Sequence, residues 1–173
     1  LVIVLDPGMA FGTAEHGTTR GCLRLLDRAV SAGDRLLDVG AGSGILSVAA
    51  ALLGAAHVTA VEADELAAEA LHENVQNNGV TDHVTVLIER ADVEKLGAWG
   101  PVDGVVANLE AGLLRPLMGG FFAAVRSGGW LVLSGILDHE CDEVRALTEQ
   151  FEFTCRATDV DGEWRSLLFE ATG

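Results

Sequence analysis

A chain of 173 residues with an apolar fraction of 49% has the size of one ordinary domain and enough material for a single substantial core. Its 11 basic and 26 acidic side chains leave a formal charge of −15, which disfavours unassisted binding to a nucleic-acid backbone and could attract a basic protein substrate. Three widely spaced cysteines fit neither a disulfide framework nor a paired metal motif, and the five histidines form no His-x-x-x-His pair, so reduced thiols and no metal are expected.

The opening residues 1–5 are apolar, but the run is far shorter than a signal-peptide core or a membrane span. A cytoplasmic protein without a membrane partner is expected. Because the chain begins with Leu rather than Met, a further upstream domain stays open. Residues 1–34 read as a loop and helix that precede the core, and 35–173 as the core itself.

In the preceding helix, Thr18 or Thr19 is the expected cap, Cys22, Leu23, Leu26 and Val30 the buried face, and 31–34 the stop. The first strand is expected at Arg35–Val39, followed by a glycine turn and a helix over 45–53 that stops at Gly54. A strand at 58–62 leads into a helix over 64–78, with Leu66, Ala70, Leu71 and Val75 on one stripe. Further strands are expected at Val84–Ile88, 102–107 and 130–134, with helices over 110–125 and 139–151. Two last strands, 153–158 and 164–170, flank Asp161-Gly162 and read as an antiparallel hairpin closing one edge. Strands alternating with helices predict an α/β fold, a doubly wound and mostly parallel seven-stranded sheet.

The turn Asp38-Val39-Gly40-Ala41-Gly42-Ser43-Gly44 follows a strand directly and opens a helix, which places a ligand site at the strand's carboxyl end. Gly40, Gly42 and Gly44 are spaced Gly-x-Gly-x-Gly, and the third glycine position of a dinucleotide fingerprint is Ile45, against a nicotinamide or flavin dinucleotide. No Gly-Lys-Ser/Thr element occurs, which excludes a P-loop. Asp38 stands where a carboxylate can face an ammonium group, directly or through water. Glu62, 18 residues after Gly44, stands where one can accept both hydrogen bonds of a ribose diol. A cofactor with an amino group and no pyrophosphate is implied, and S-adenosylmethionine meets that description.

Residues 6–20, Asp-Pro-Gly-Met-Ala-Phe-Gly-Thr-Ala-Glu-His-Gly-Thr-Thr-Arg, closely resemble a motif of the methyltransferases that modify the eleventh protein of the large ribosomal subunit, the PrmA family. Residues 37–46, 105–109 and 133–137 also resemble segments of that family. The resemblance implies a class I methyltransferase fold and S-adenosylmethionine as cofactor. It also implies cofactor contacts from Phe11, Thr13, Gly40 and Glu62, while Asp92 sits where the broader methyltransferase class often contacts the adenine amino group. Asn108 is similar to an asparagine beside the cofactor's methionine part and the incoming amine, which makes it the expected catalytic residue. Ala14 and Glu15 replace a Gly-x pair common in the family, and the family's N-terminal substrate-recognition domain has no room within these residues. Thr18 and Thr19 read equally as caps or contact residues; His16 reads as a loop hydrogen-bonder or a neighbour of the substrate, and Phe11 and Trp99 as candidate pocket walls.

The leading expectation is a protein N-methyltransferase acting on lysine or α-amino nitrogens of a ribosomal or similarly basic protein. A cofactor-binding fragment without its own activity, a single-domain lysine methyltransferase of another protein and, as a distant third class, a dinucleotide-dependent oxidoreductase are the alternatives.

Overall fold

The computed structural model describes residues 2–5 and 15–173. Seven strands form one sheet: β1 (Arg35–Val39), β2 (His57–Glu62), β3 (Val84–Ile88), β4 (Val102–Asn108), β5 (Val125–Leu137), β6 (Phe153–Asp161) and β7 (Trp164–Ala171). Their spatial order is β3-β2-β1-β4-β5-β7-β6. The first five pair in parallel, and β7 lies antiparallel between β5 and β6. The expected edge hairpin is therefore present, with both arms longer than the sequence suggested.

Side chains alternate across each strand and divide the core in two. Leu37, Val39, Val105, Ala107, Leu131 and Leu133 face a layer built from α4 (Val93–Trp99), α5 (Ala111–Leu114), α6 (Met118–Ala124) and α7 (Cys141–Glu149). Their neighbours Leu36, Val106 and Val132 face α1 (Gly17–Ala29), α2 (Ile45–Leu52) and α3 (Glu65–Asn77). Helices thus cover both faces, the doubly wound arrangement predicted.

Four details depart from expectation. The cap of α1 is His16, whose Nδ1 accepts the Thr18 amide at 3.4 Å and bonds the Thr18 hydroxyl at 2.7 Å, so neither threonine caps the helix. Helix α4 went unpredicted because it is short; its signal was Asp92, whose carboxylate accepts the Lys95 amide at 2.8 Å as an N-cap. The single helix expected over 110–125 is broken into α5, a 3₁₀ turn Arg115–Leu117 and α6, because Pro116 has no amide to continue the α ladder. On α3 the buried residues are Ala67, Ala68, Leu71, Asn74 and Val75, while Leu66 is 70% exposed.

Candidate functional site

Chain order reverses between β1 and β4: the strands that follow β1 step one way, and β4 and β5 the other. In doubly wound sheets a crevice opens beyond the carboxyl ends at such a point. A cavity of about 900 Å³ lies there, walled by the turn after β1, the ends of β2 and β4, the loop after β3, and α5 with its following turn.

Gly40, Gly42, Glu62, Asp92 and Asn108 line this cavity. Phe11 and Thr13 lie outside the described residues. Asp38 and Gly44 stand behind the wall rather than in it. Gly44 precedes α2 at φ 79°, and a Cβ there would come within 2.8 Å of Leu71 Cγ, so its bareness lets the turn close onto α3. Trp99 is no wall either; at the end of α4 it packs against the larger core.

Glu62 is firmly fixed in this wall. Its Oε2 accepts the Gly42 amide at 2.8 Å and its Oε1 the Asp64 amide at 2.9 Å. A carboxylate offers roughly four lone-pair sites, so two main-chain bonds hold it rigid and still leave it able to receive a diol. Glycine at 42, with φ 54°, supplies the turn that brings its amide to this carboxylate.

Asp38 is 1% exposed, with Oδ2 accepting the Ser47 hydroxyl at 2.6 Å and Oδ1 without a partner among the described residues. Burial pushes its pKa up to about 6; the Ser47 hydrogen bond opposes the rise, and the charge of Glu62 adds to it. Two carboxylates that feel each other beneath one glycine turn make that end of the cavity favour a cation.

Thr19, whose sequence context suits a cap and a contact equally, also lines the cavity. It is fully buried and has an Oγ1 with no hydrogen-bond partner among the described residues. His16 relieves it of capping, so its hydroxyl is uncommitted at the wall. The only signal in the sequence was the Thr18-Thr19 pair itself, which local rules assign to a cap. Leu66 and Leu113, exposed by 70% and 48%, give the cavity apolar walls, as a bound purine or alkyl chain requires. His16 lies against Trp164, ring centroids 5.1 Å apart and planes tilted by 53°, and does not line the cavity.

A glycine turn at the switch point with a rigid acid on the next strand is an arrangement that suits a nucleoside. The model of the family described as ribosomal protein L11 methyltransferase (PrmA) matches residues 1–172. The chain belongs to this family. It is 38% identical over 172 residues to the ribosomal protein L11 methyltransferase of Desulforamulus reducens, covering 97% of this chain and 54% of that protein. It is 45% identical over 166 residues to the one from Dechloromonas aromatica, covering 94% and 52%. The chain spans about half the length of these curated relatives. A crystal structure described as ribosomal protein L11 methylase from Lactobacillus delbrueckii subsp. bulgaricus superimposes with a TM-score of 0.89 at 30% identity, covering 100% of this chain and 86% of that one. A putative RNA methyltransferase from Pyrococcus horikoshii, at 21% identity and a TM-score of 0.75, shares the fold. The class I methyltransferase architecture is thus common to all of them.

Among the described residues, no group of three His, Cys, Asp or Glu side chains is gathered to hold a metal ion, and no helix is long and apolar enough to cross a membrane.

Proposed function

We propose that this chain is the S-adenosylmethionine-binding, methyl-transferring part of a protein N-methyltransferase whose acceptors are lysine or α-amino nitrogens of ribosomal protein L11 or a similarly basic protein. The observation that carries the reading is Glu62, fixed by two main-chain amides in the wall of a cavity at the switch point of a PrmA-family fold. An uncommitted Thr19 hydroxyl, apolar walls and paired acids under the turn fit an adenosyl cation that carries no phosphate.

In this reading Glu62 accepts the ribose hydroxyls, Thr19 offers its hydroxyl to the cofactor, and Asp38 acts through its charge from behind the turn. Asp92 keeps an oxygen for the adenine edge while the other caps α4. When bound, S-adenosylmethionine supplies an electrophilic methyl group, so the protein's task is alignment. Asn108 orients the acceptor: an amine hydrogen donates to its oxygen and aims the nitrogen lone pair along the cavity. That amine must be neutral, yet a lysine's reference pKa is about 10.4. The apolar wall of Leu113, Pro116 and Leu117 beyond Asn108 lowers it by desolvation. The acidic balance of the chain suits a basic protein and disfavours nucleic acid.

The half-length match favours one second reading, a cofactor-binding module whose transfer requires the rest of a longer enzyme. Calorimetry with S-adenosylmethionine, S-adenosylhomocysteine and NAD, followed by methyl transfer to isolated ribosomal protein L11, separates the two. Binding of the first two ligands with transfer supports the leading reading, and binding without transfer supports the second. A chain that ignores both adenosyl ligands defeats both. Asn108→Ala should lower kcat at least tenfold at saturating substrates; an undiminished rate removes the orienting role.

A further inference from the structure

The segment 133–137, singled out in the sequence, contributes no residue to the cavity wall. Here the pairing of β5 with β7 slips between Leu133 and Ile136, leaving Ser134 and Gly135 outside that ladder. The Ser134 hydroxyl still meets Ser166 on β7 at 2.7 Å and the Thr18 carbonyl at 3.3 Å, whereas the Ser134 carbonyl and Gly135 face the loop after β4. The Ser134 carbonyl accepts the Leu109 amide at 3.1 Å, and Asn108 pairs with Ser134 in the parallel register. Gly135 has φ 82°, and a Cβ there would stand 2.6 Å from the Leu109 carbonyl carbon, closer still to its oxygen, and 3.2 Å from the Glu110 nitrogen. The 109–110 main chain lies where it does only because position 135 is bare.

Leu109 links this contact to the cavity at two points. Its side chain fills the space a Cβ at Gly40 would need, 2.5 Å from Leu109 Cδ2, and its main chain continues directly from Asn108. We infer that Gly135 is a positioning residue: the close approach it permits sets the 108–110 loop, and with it Asn108, against the glycine turn. The inference rests on the reading of Asn108 given above. Its consequence is selective, because Glu62 sits on β2 and is held by the Gly42 and Asp64 amides, neither of which belongs to the 108–110 loop. Misplacing an orienting group by about 1 Å costs on the order of 100-fold in rate.

The test compares Gly135→Ala with Gly128→Ala. Gly128 shares the strand and the left-handed conformation, at φ 69°, but the nearest atom to a Cβ there is Arg126 Nη1 at 3.7 Å, so it controls for backbone strain alone. Both variants should melt cooperatively and bind S-adenosylhomocysteine within threefold of wild type. Gly128→Ala should keep its turnover on ribosomal protein L11, while Gly135→Ala loses at least tenfold in kcat with its cofactor KM within threefold. The Leu109 amide should exchange with solvent at least tenfold faster in Gly135→Ala than in Gly128→Ala. Equal turnover in the two, or equal exchange at Leu109, overturns the inference. Should Gly135→Ala not fold, Leu109→Ala decides, since it frees the loop without crowding it: a tenfold lower kcat supports the inference and a wild-type kcat ends it. A wild-type chain that binds S-adenosylhomocysteine yet transfers nothing defeats the leading function reading separately, and exchange at Leu109 then decides the role of Gly135.

Discussion

Replacing Glu62 with Ala removes a cavity carboxylate that two amides hold in place, and S-adenosylhomocysteine should bind about 1–3 kcal/mol more weakly by calorimetry. Unchanged affinity would take Glu62 out of the site. Asp38 makes a different prediction. Its folded pKa of about 6 lies above the ordinary 3.8, so the folded chain holds this proton more tightly than the unfolded one. Its contribution is therefore fully favourable below about pH 4 and is lost as pH rises through 6, on the order of 3 kcal/mol. Asp38→Asn should flatten the pH 4 to 6 dependence of unfolding free energy in the ligand-free chain; an unaltered profile would show that Asp38 is not the titrating group. Cys22, by contrast, is a silent thiol: burial pushes its pKa up to about 12.

At the scale of elements, α4 shows how one residue serves architecture and site together. Asp92 caps α4 and lines the cavity. Asp92→Ala should cost about 1 kcal/mol of stability from the lost cap, whereas Asp92→Asn keeps a capping oxygen. Chemical denaturation of both variants beside their cofactor affinities separates the roles: an affinity drop in Asp92→Asn without loss of stability assigns a ligand contact, and equal affinity leaves only the cap. Helix α1 is held in register with the C-terminal hairpin by Arg20 on Asp161, at 2.7 Å, and Arg24 on Asp159, at 2.6 Å. The two guanidinium groups hold the Asp161 carboxyl far below its usual range. Because these side chains are partly solvated, the network's value is geometric, carrying Thr19 to the cavity from a helix that starts far from the glycine turn in sequence.

Across the whole molecule, the two faces of the sheet are closed by different helices, and the larger core continues from β4 and β5 onto the hairpin through Phe153 and Phe169, whose ring centroids lie 6.5 Å apart. Phe169 is fully buried, so Phe169→Ala should destabilise the chain by about 3–5 kcal/mol in denaturant unfolding. A loss below 1 kcal/mol would mean that the hairpin is peripheral to the fold rather than part of its core.

Sequence alone determined the strand positions, the two-sided winding, the edge hairpin and the glycine turn with Glu62, because each depends on local periodicity or on residues adjacent along the chain. It misplaced what depends on three-dimensional neighbours. Leu66 satisfies a helical stripe by spacing, yet the packing of α3 turns it into the cavity. Gly44 looks like a ligand glycine but answers to Leu71, 27 residues away, and the Thr19 hydroxyl becomes available only because His16 takes the cap. Gly135 has no local signature for its contact with Leu109, since β4 and β5 meet only when the sheet is assembled. Tertiary structure decided these roles because a side chain's environment is set by the elements that converge on it, and convergence is not written in the spacing of any one of them.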